Sequence, residues 1–88
     1  MILPKDIEAT FDTFVGAVFG SKILEKKIIE LMAFSNSVAL DCHPCMKHHS
    51  AEARKHGATN EEIALAVAIA MSVSSGKNRL KAKEAIDT

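Results

Sequence analysis

The segment CHPCMKHH, residues 42–49, holds both cysteines of the chain and three of its four histidines. Three readings need side chains of these types so close together. Two cysteines separated by two residues can cycle between dithiol and disulfide, with the thiolate as the reactive form. Cys42, Cys45 and His49 could bind zinc tetrahedrally, with His43, His48 or Glu30 as a fourth ligand. Cysteines can also be small buried side chains in a non-catalytic assembly domain. Cys-x-x-Cys-x-x-x-His lacks the second, distant ligand pair usual in structural zinc modules, which favours the redox reading.

Helix geometry sharpens that reading. Pro44 suits a first helical turn and Gly57 a C-terminal cap, so a helix should run from the CxxC to about His56. At 100° per residue, Cys45, Met46, His49, Ala53 and His56 share one side, while Lys47, Arg54 and Lys55 share the other with His48 nearer to them. His49 is therefore the inward histidine, one turn beyond Cys45 and able to reach its sulfur, and His48 is a surface residue. At the helix start, free N–H groups and the helix dipole stabilise a thiolate. Geometry leaves open which cysteine attacks, because Cys42 is nearer the helix start and Cys45 nearer His49.

Glu30 is the third element, being the only charged residue between Ile28 and Leu40. A tight turn near Asp41 makes the second and third helices antiparallel, so Glu30, about ten residues before the turn, lies beside His49, about seven after it. Burial on so apolar a helix raises a carboxyl pKa toward the range useful for proton transfer unless a histidinium offsets it. The alternative is an ordinary helical pair at the surface with Lys26 or Lys27.

The rest of the chain supplies helices. Ile7, Phe11, Phe14, Val15, Val18 and Phe19 fall at helical spacing from Asp6 to Phe19, and Gly20 is the stop. Ser21 caps a second helix over about Lys22–Leu40, buried nearly all round from Ile28 onward. TNEE forms a capping box, with Thr59 as N-cap and Glu62 at the third helical position, opening a fourth helix that ends before Gly76. KNRLKAKEAID forms a short fifth helix in which Leu80 and Ile86 dock. The expected fold is an all-α domain of about five helices over residues 1–88, with an antiparallel helical hairpin carrying the CxxC.

Composition limits the function classes. The 88 residues carry 11 basic and 11 acidic side chains and no net charge, without the basic stripe that tracks a phosphate backbone, so nucleic acid is not expected as a partner. The longest apolar run, Ile63–Met71, is far short of the ~20 residues of a membrane helix. MILPKDIEATF meets acids at once, unlike a signal peptide. The expected location is cytoplasmic, where close cysteines are more often catalytic or metal-binding than structural. With 48% of residues hydrophobic, so small a domain has more apolar material than it can hide, and a homo-oligomer is expected.

Glu30, eleven intervening residues, Cys42-x-x-Cys45-x-x-x-His49 and the following HGATNEEIALAVAIA together resemble the carboxymuconolactone decarboxylase superfamily, in its alkylhydroperoxidase D-like branch. The resemblance covers about residues 20–76. It implies an all-helical domain assembling into trimers or hexamers, which reduces small peroxides with its cysteine pair, needs no cofactor or metal, and is re-reduced by an external dithiol. By that analogy Cys45 is the peroxidatic thiolate, Cys42 resolves it, and His49 and Glu30 relay the proton. Peroxidases of this branch often carry a further histidine directly before the second cysteine, where this chain has Pro44, with His43 one position earlier. Decarboxylase members generally lack the cysteine pair.

Overall fold

Four helices follow one another: α1 (Lys5–Phe19), α2 (Lys26–Ala39), α3 (His43–Lys55) and α4 (Asn60–Ile86). They are described by a computed structural model covering residues 2–87. The fold is all-α, with no strand among the described residues, and α2 and α3 form the expected hairpin.

The hairpin is set by two helix ends of one kind. At the end of α2 the Cys42 N–H donates to the Ser37 carbonyl at 3.0 Å and the Asp41 N–H to that of Val38 at 3.1 Å. These are the two bonds of a Schellman motif. Its left-handed position is filled by Asp41, at φ 55°, and aspartate is one of the few non-glycine residues that tolerate that region. The chain then passes directly into Cys42, the N-cap of α3. At the far end of α3, Gly57 takes φ 96°, while the Gly57 and Ala58 N–H groups donate to the Arg54 and Ala53 carbonyls at 3.0 and 2.9 Å. Gly57 is thus the cap its position suggested.

α2 lies between α3 and α4. Phe34, Ala53, Ile63 and Ala66 form the buried core, one or two residues from each of these helices, and Leu31, Val38, Met46, Ala58 and Val67 pack around it. Ser35 Oγ donates to the Ala66 carbonyl at 2.9 Å, and Lys27 meets Glu62 at 3.0 Å, so polar contacts also tie α2 to α4. The capping box of α4 is formed: Thr59 Oγ1 accepts from the Glu62 N–H at 3.1 Å, and the Thr59 N–H donates to Glu62 Oε1 at 2.8 Å.

Three expectations are corrected. α4 continues through Gly76 to Ile86, giving four helices instead of five. A glycine inside a helix costs only about 1 kcal/mol, and the strong helix formers of NRLKAKEA outweigh it. α2 begins at Lys26, not Lys22, because Ser21 Oγ accepts from the Ile23 N–H at 3.2 Å, making a local turn in place of a cap. Lastly, α2 is not covered all round within one chain. Ile28, Met32 and Leu40 are exposed, as are Leu65, Ile69, Met71 and Val73 of α4, and Leu80 and Ile86 do not dock.

Glu62 yields a test of how α4 is held. The Thr59 N–H and then Lys27 keep its carboxyl below the ordinary carboxylate range. A folded-state pKa lowered this way gives stability that is complete above the unfolded carboxylate pKa and is lost as pH falls through the folded value. In urea titrations from about pH 7 to pH 3, Glu62→Gln should lie below the wild type at neutral pH and converge with it in acid, and Thr59→Ala should cost ~1 kcal/mol throughout.

Candidate functional site

Cys42 and Cys45 lie at the N-terminus of α3, joined as a disulfide, with Cα atoms 5.2 Å apart. Cys42 is the N-cap, and its Sγ accepts from the Cys45 N–H at 3.3 Å. One of the free N–H groups of a helix start therefore points at sulfur, where it and the dipole favour negative charge. Pro44 sits at the second helical position, where it donates no hydrogen bond and none is needed.

His49 follows Cys45 by one turn, on the side of α3 that faces α2. Its Nδ1 lies 2.7 Å from Glu30 Oε1, the juxtaposition that the antiparallel hairpin required. Glu30 is nonetheless paired with Lys26 as well: Lys26 Nζ is 2.9 Å from Oε2. The two arrangements read as alternatives in the sequence coexist, with each carboxylate oxygen taking one partner. With its side chain only 3% exposed, Glu30 is also no surface acid.

That pairing overturns the expected direction of the Glu30 pKa. Burial pushes the carboxyl up, but Lys26 and then His49, through hydrogen bonds and charge, more than offset it and hold it below the ordinary carboxylate range. Glu30 is a fixed anion, suited to orienting and charging a histidine more than to carrying the proton away itself.

Two further residues close the site. The Phe19 ring, at the end of α1, stacks on His49 with centroids 5.2 Å apart and planes 10° apart. Lys26 Nζ lies 5.3 Å from the centroid of the same ring and donates to the Phe19 carbonyl at 2.9 Å. Phe19 carried no sign of this role in the sequence beyond its place before Gly20. That glycine allows the close turn, since a Cβ there would sit 2.9 Å from the Gly16 carbonyl oxygen. Lys26 was visible four residues before Glu30, as a helical pair only.

His48 is exposed and meets His49 edge-on at 4.9 Å between centroids. His43 and His56 are exposed too; His56, on the Cys45 side of the helical wheel, places its Nδ1 2.9 Å from the Glu52 carbonyl oxygen at the helix end. Among the described residues no group of three or more His, Cys, Asp and Glu side chains is arranged to hold a metal ion. The arrangement as a whole is a dithiol at a helix N-terminus with an oriented histidine one turn away. It can ionise a thiol, exchange a proton and close a disulfide.

The chain is similar to known proteins. The curated relatives include the alkyl hydroperoxide reductase AhpD of Hyphomonas neptunium, 36% identical over 69 residues, a match spanning 78% of this chain but 38% of that protein. The uncharacterized protein 4 in the cox locus of Paracoccus denitrificans is 30% identical over 80 residues, spanning 91% of this chain and 72% of that one. A crystal structure of a Methanobacterium thermoautotrophicum protein, 29% identical, superimposes with a TM-score of 0.87 over 97% of each chain. The model of the carboxymuconolactone decarboxylase family matches residues 5–88, and with the fold and the CxxC hairpin in agreement, the chain belongs to that family, on its AhpD-like side.

Proposed function

We propose that the protein is a thiol-dependent peroxidase that reduces hydrogen peroxide or organic hydroperoxides through a Cys42/Cys45 dithiol–disulfide cycle. The observation that carries this reading is the disulfide-linked pair at the start of α3 with the hydrogen-bonded Glu30–His49 pair one turn away. The AhpD-named relative supports it.

The cycle balances as follows. The Cys45 thiolate attacks one oxygen of ROOH, the O–O bond breaks, and Cys45 becomes a sulfenic acid while the leaving alkoxide takes a proton to become ROH. Cys42 then attacks the Cys45 sulfur, water leaves, and the disulfide forms. An external dithiol reduces it through a mixed disulfide and is itself oxidised. His49 takes the Cys45 proton and returns one to the leaving oxygen. Its Nδ1 is committed to Glu30, which leaves Nε2 for this exchange, and anionic Glu30 stabilises the imidazolium formed between the two steps. No cofactor takes part.

A second reading, dithiol–disulfide exchange without peroxide, is favoured by one feature: the Cys42 sulfur at the N-cap, accepting from the Cys45 N–H, is placed as the low-pKa thiolates of disulfide oxidoreductases are. Closure of the disulfide by a dithiol–disulfide couple but not by peroxide would select it.

The protein works as a homo-oligomer. Its accessible surface is 6913 Å², against about 5,000 Å² for a compact monomer of 9.5 kDa. Its radius of gyration, 16.3 Å, likewise exceeds the ~12 Å expected. The excess area is about twice the ~800 Å² that each partner contributes to a standard interface. No residue of α1 is buried, and its Ile7, Phe11, Phe14 and Val18 are exposed. An apolar groove of about 350 Å³ beside it is lined by Val18, Ile23, Leu24, Ile29 and Met32 among others. A second copy of the chain, presenting the same faces, is the occupant these features fit.

Three outcomes test these proposals. In peroxide assays with mass spectrometry, Cys45→Ser should consume no peroxide and Cys42→Ser should stop at a Cys45 sulfenic acid; the opposite pattern would reverse the two thiols. Glu30→Gln should slow peroxide-driven disulfide closure at neutral pH by about 10²-fold, with a smaller loss as pH rises and the thiol ionises unaided; equal rates from pH ~6 to ~9 would remove Glu30 from the relay. Sedimentation should show a stable assembly at micromolar concentration that Phe14→Asp weakens, whereas a folded wild-type monomer would refute assembly.

A further inference from the structure

Glu30 has two oxygens and two partners, Lys26 and His49, and the chemistry above uses only one of them. We propose that Lys26 is a positioning residue of the site: by binding Glu30 Oε2 and the Phe19 carbonyl together, it turns Oε1 onto His49 and holds the Phe19 ring against the imidazole. This rests on the reading that His49 serves the dithiol.

The geometry is a closed circuit. Glu30 Oε1 meets His49 at 2.7 Å, His49 stacks on Phe19 at 5.2 Å, and the Phe19 carbonyl accepts from Lys26 at 2.9 Å. Lys26 returns to Glu30 Oε2 at 2.9 Å. Without the last link the carboxylate would have one strong partner and a torsion that is soft about its final bond. With it, both oxygens are assigned and the plane is set. Two of the three ammonium donors of Lys26 are used, one on a carboxylate and one on a backbone carbonyl seven residues back.

Local helix energetics do not account for a lysine at this position. Lys26 is the first residue of α2, whose first turn holds no acid. A cation there stands at the positive end of the helix dipole, where it is disfavoured. Lysine four residues before glutamate is also the weaker order for a helical pair. What compensates is the buried carboxylate and the carbonyl, so the placement is explained by the site and not by the helix.

The consequence concerns the charge of Glu30. The groups facing it are Lys26 on α2 and His49 on α3, with His48 edge-on behind His49. α1 contributes the neutral Phe19, and among the described residues α4 makes no ion pair with it, Glu62 being held by Lys27. Removing Lys26 leaves the burial and takes away the larger of the two offsets, so the carboxyl must rise. Glu30 then protonates, and His49 loses its anion, at a pH where the wild type is intact.

Lys26→Met keeps the stem and removes the charge, and Lys26→Arg keeps the charge. The first measurement needs no peroxide: the carboxyl-carbon NMR titration of Glu30 in the oxidised protein. Its midpoint should rise in Lys26→Met and return toward the wild type in Lys26→Arg. The second is the rate of peroxide-driven disulfide closure in the reduced protein against pH. The ratio of wild type to Lys26→Met should exceed one and grow as pH falls through the new Glu30 midpoint, and Lys26→Arg should reverse it. An unchanged Glu30 midpoint would overturn the proposal, as would a rate loss that is equal at every pH or is not rescued by arginine. If the wild type consumed no peroxide while the Glu30 midpoint still moved and reverted, the positioning role would stand and the peroxidase reading would fall.

Discussion

A carboxylate with almost no contact with water has to be compensated on every side, and the site is organised around meeting that condition for Glu30. Its burial alone favours the neutral acid. Lys26 comes from one turn earlier on α2, His49 from across the hairpin, and Phe19 closes the space from the end of α1. Three helices and the loop at residues 20–25 are thereby tied to a single side chain. Breaking one partner would leave the charge partly unpaired in a low-dielectric setting, which is far costlier than losing a surface pair.

The hairpin that makes this possible depends on the backbone more than on the core. The core is small, built on Phe34, Ala53, Ile63 and Ala66, and could not alone set the register of α2 against α3. The Schellman motif at Ser37–Cys42 does so, because its end is also the N-cap of the next helix. One residue, Cys42, is at once the last donor of one helix terminus and the first acceptor of the next. The cysteine pair therefore has a defined position relative to Glu30.

Much of this was readable from residue types and spacing. The CxxC at a helix start, the Thr59–Glu62 capping box, the Gly57 cap and the facing of Glu30 and His49 all follow from local rules that hold whatever surrounds them. The misreadings share a different cause. Gly76 reads as a stop, although glycine only weakens a helix, and Ser21 reads as a cap, although its hydroxyl serves a turn just as well. The direction of the Glu30 pKa depended on counting cations in three dimensions, and Phe19 reaches His49 from a helix that otherwise scarcely touches the body. None of those is a property of a short window. The apolar surplus was legible in the composition, and it sits where the chain leaves α1 and the outer faces of α2 and α4 uncovered.

The unbroken run of α4 has its own consequence. Twenty-seven residues of helix extend about 40 Å, yet its buried residues end at Ala70. Beyond that point no described residue is buried, and the helix rests mainly on its own backbone bonds, with a glycine in their midst. In an isolated chain this arm would open more readily than the buried half of α4, and its amides would exchange with solvent before those around Ile63 and Ala66. If the proposed assembly covers this arm, its ordering and its capture by the second copy are one equilibrium, and its protection against exchange would gauge how much of the chain is assembled.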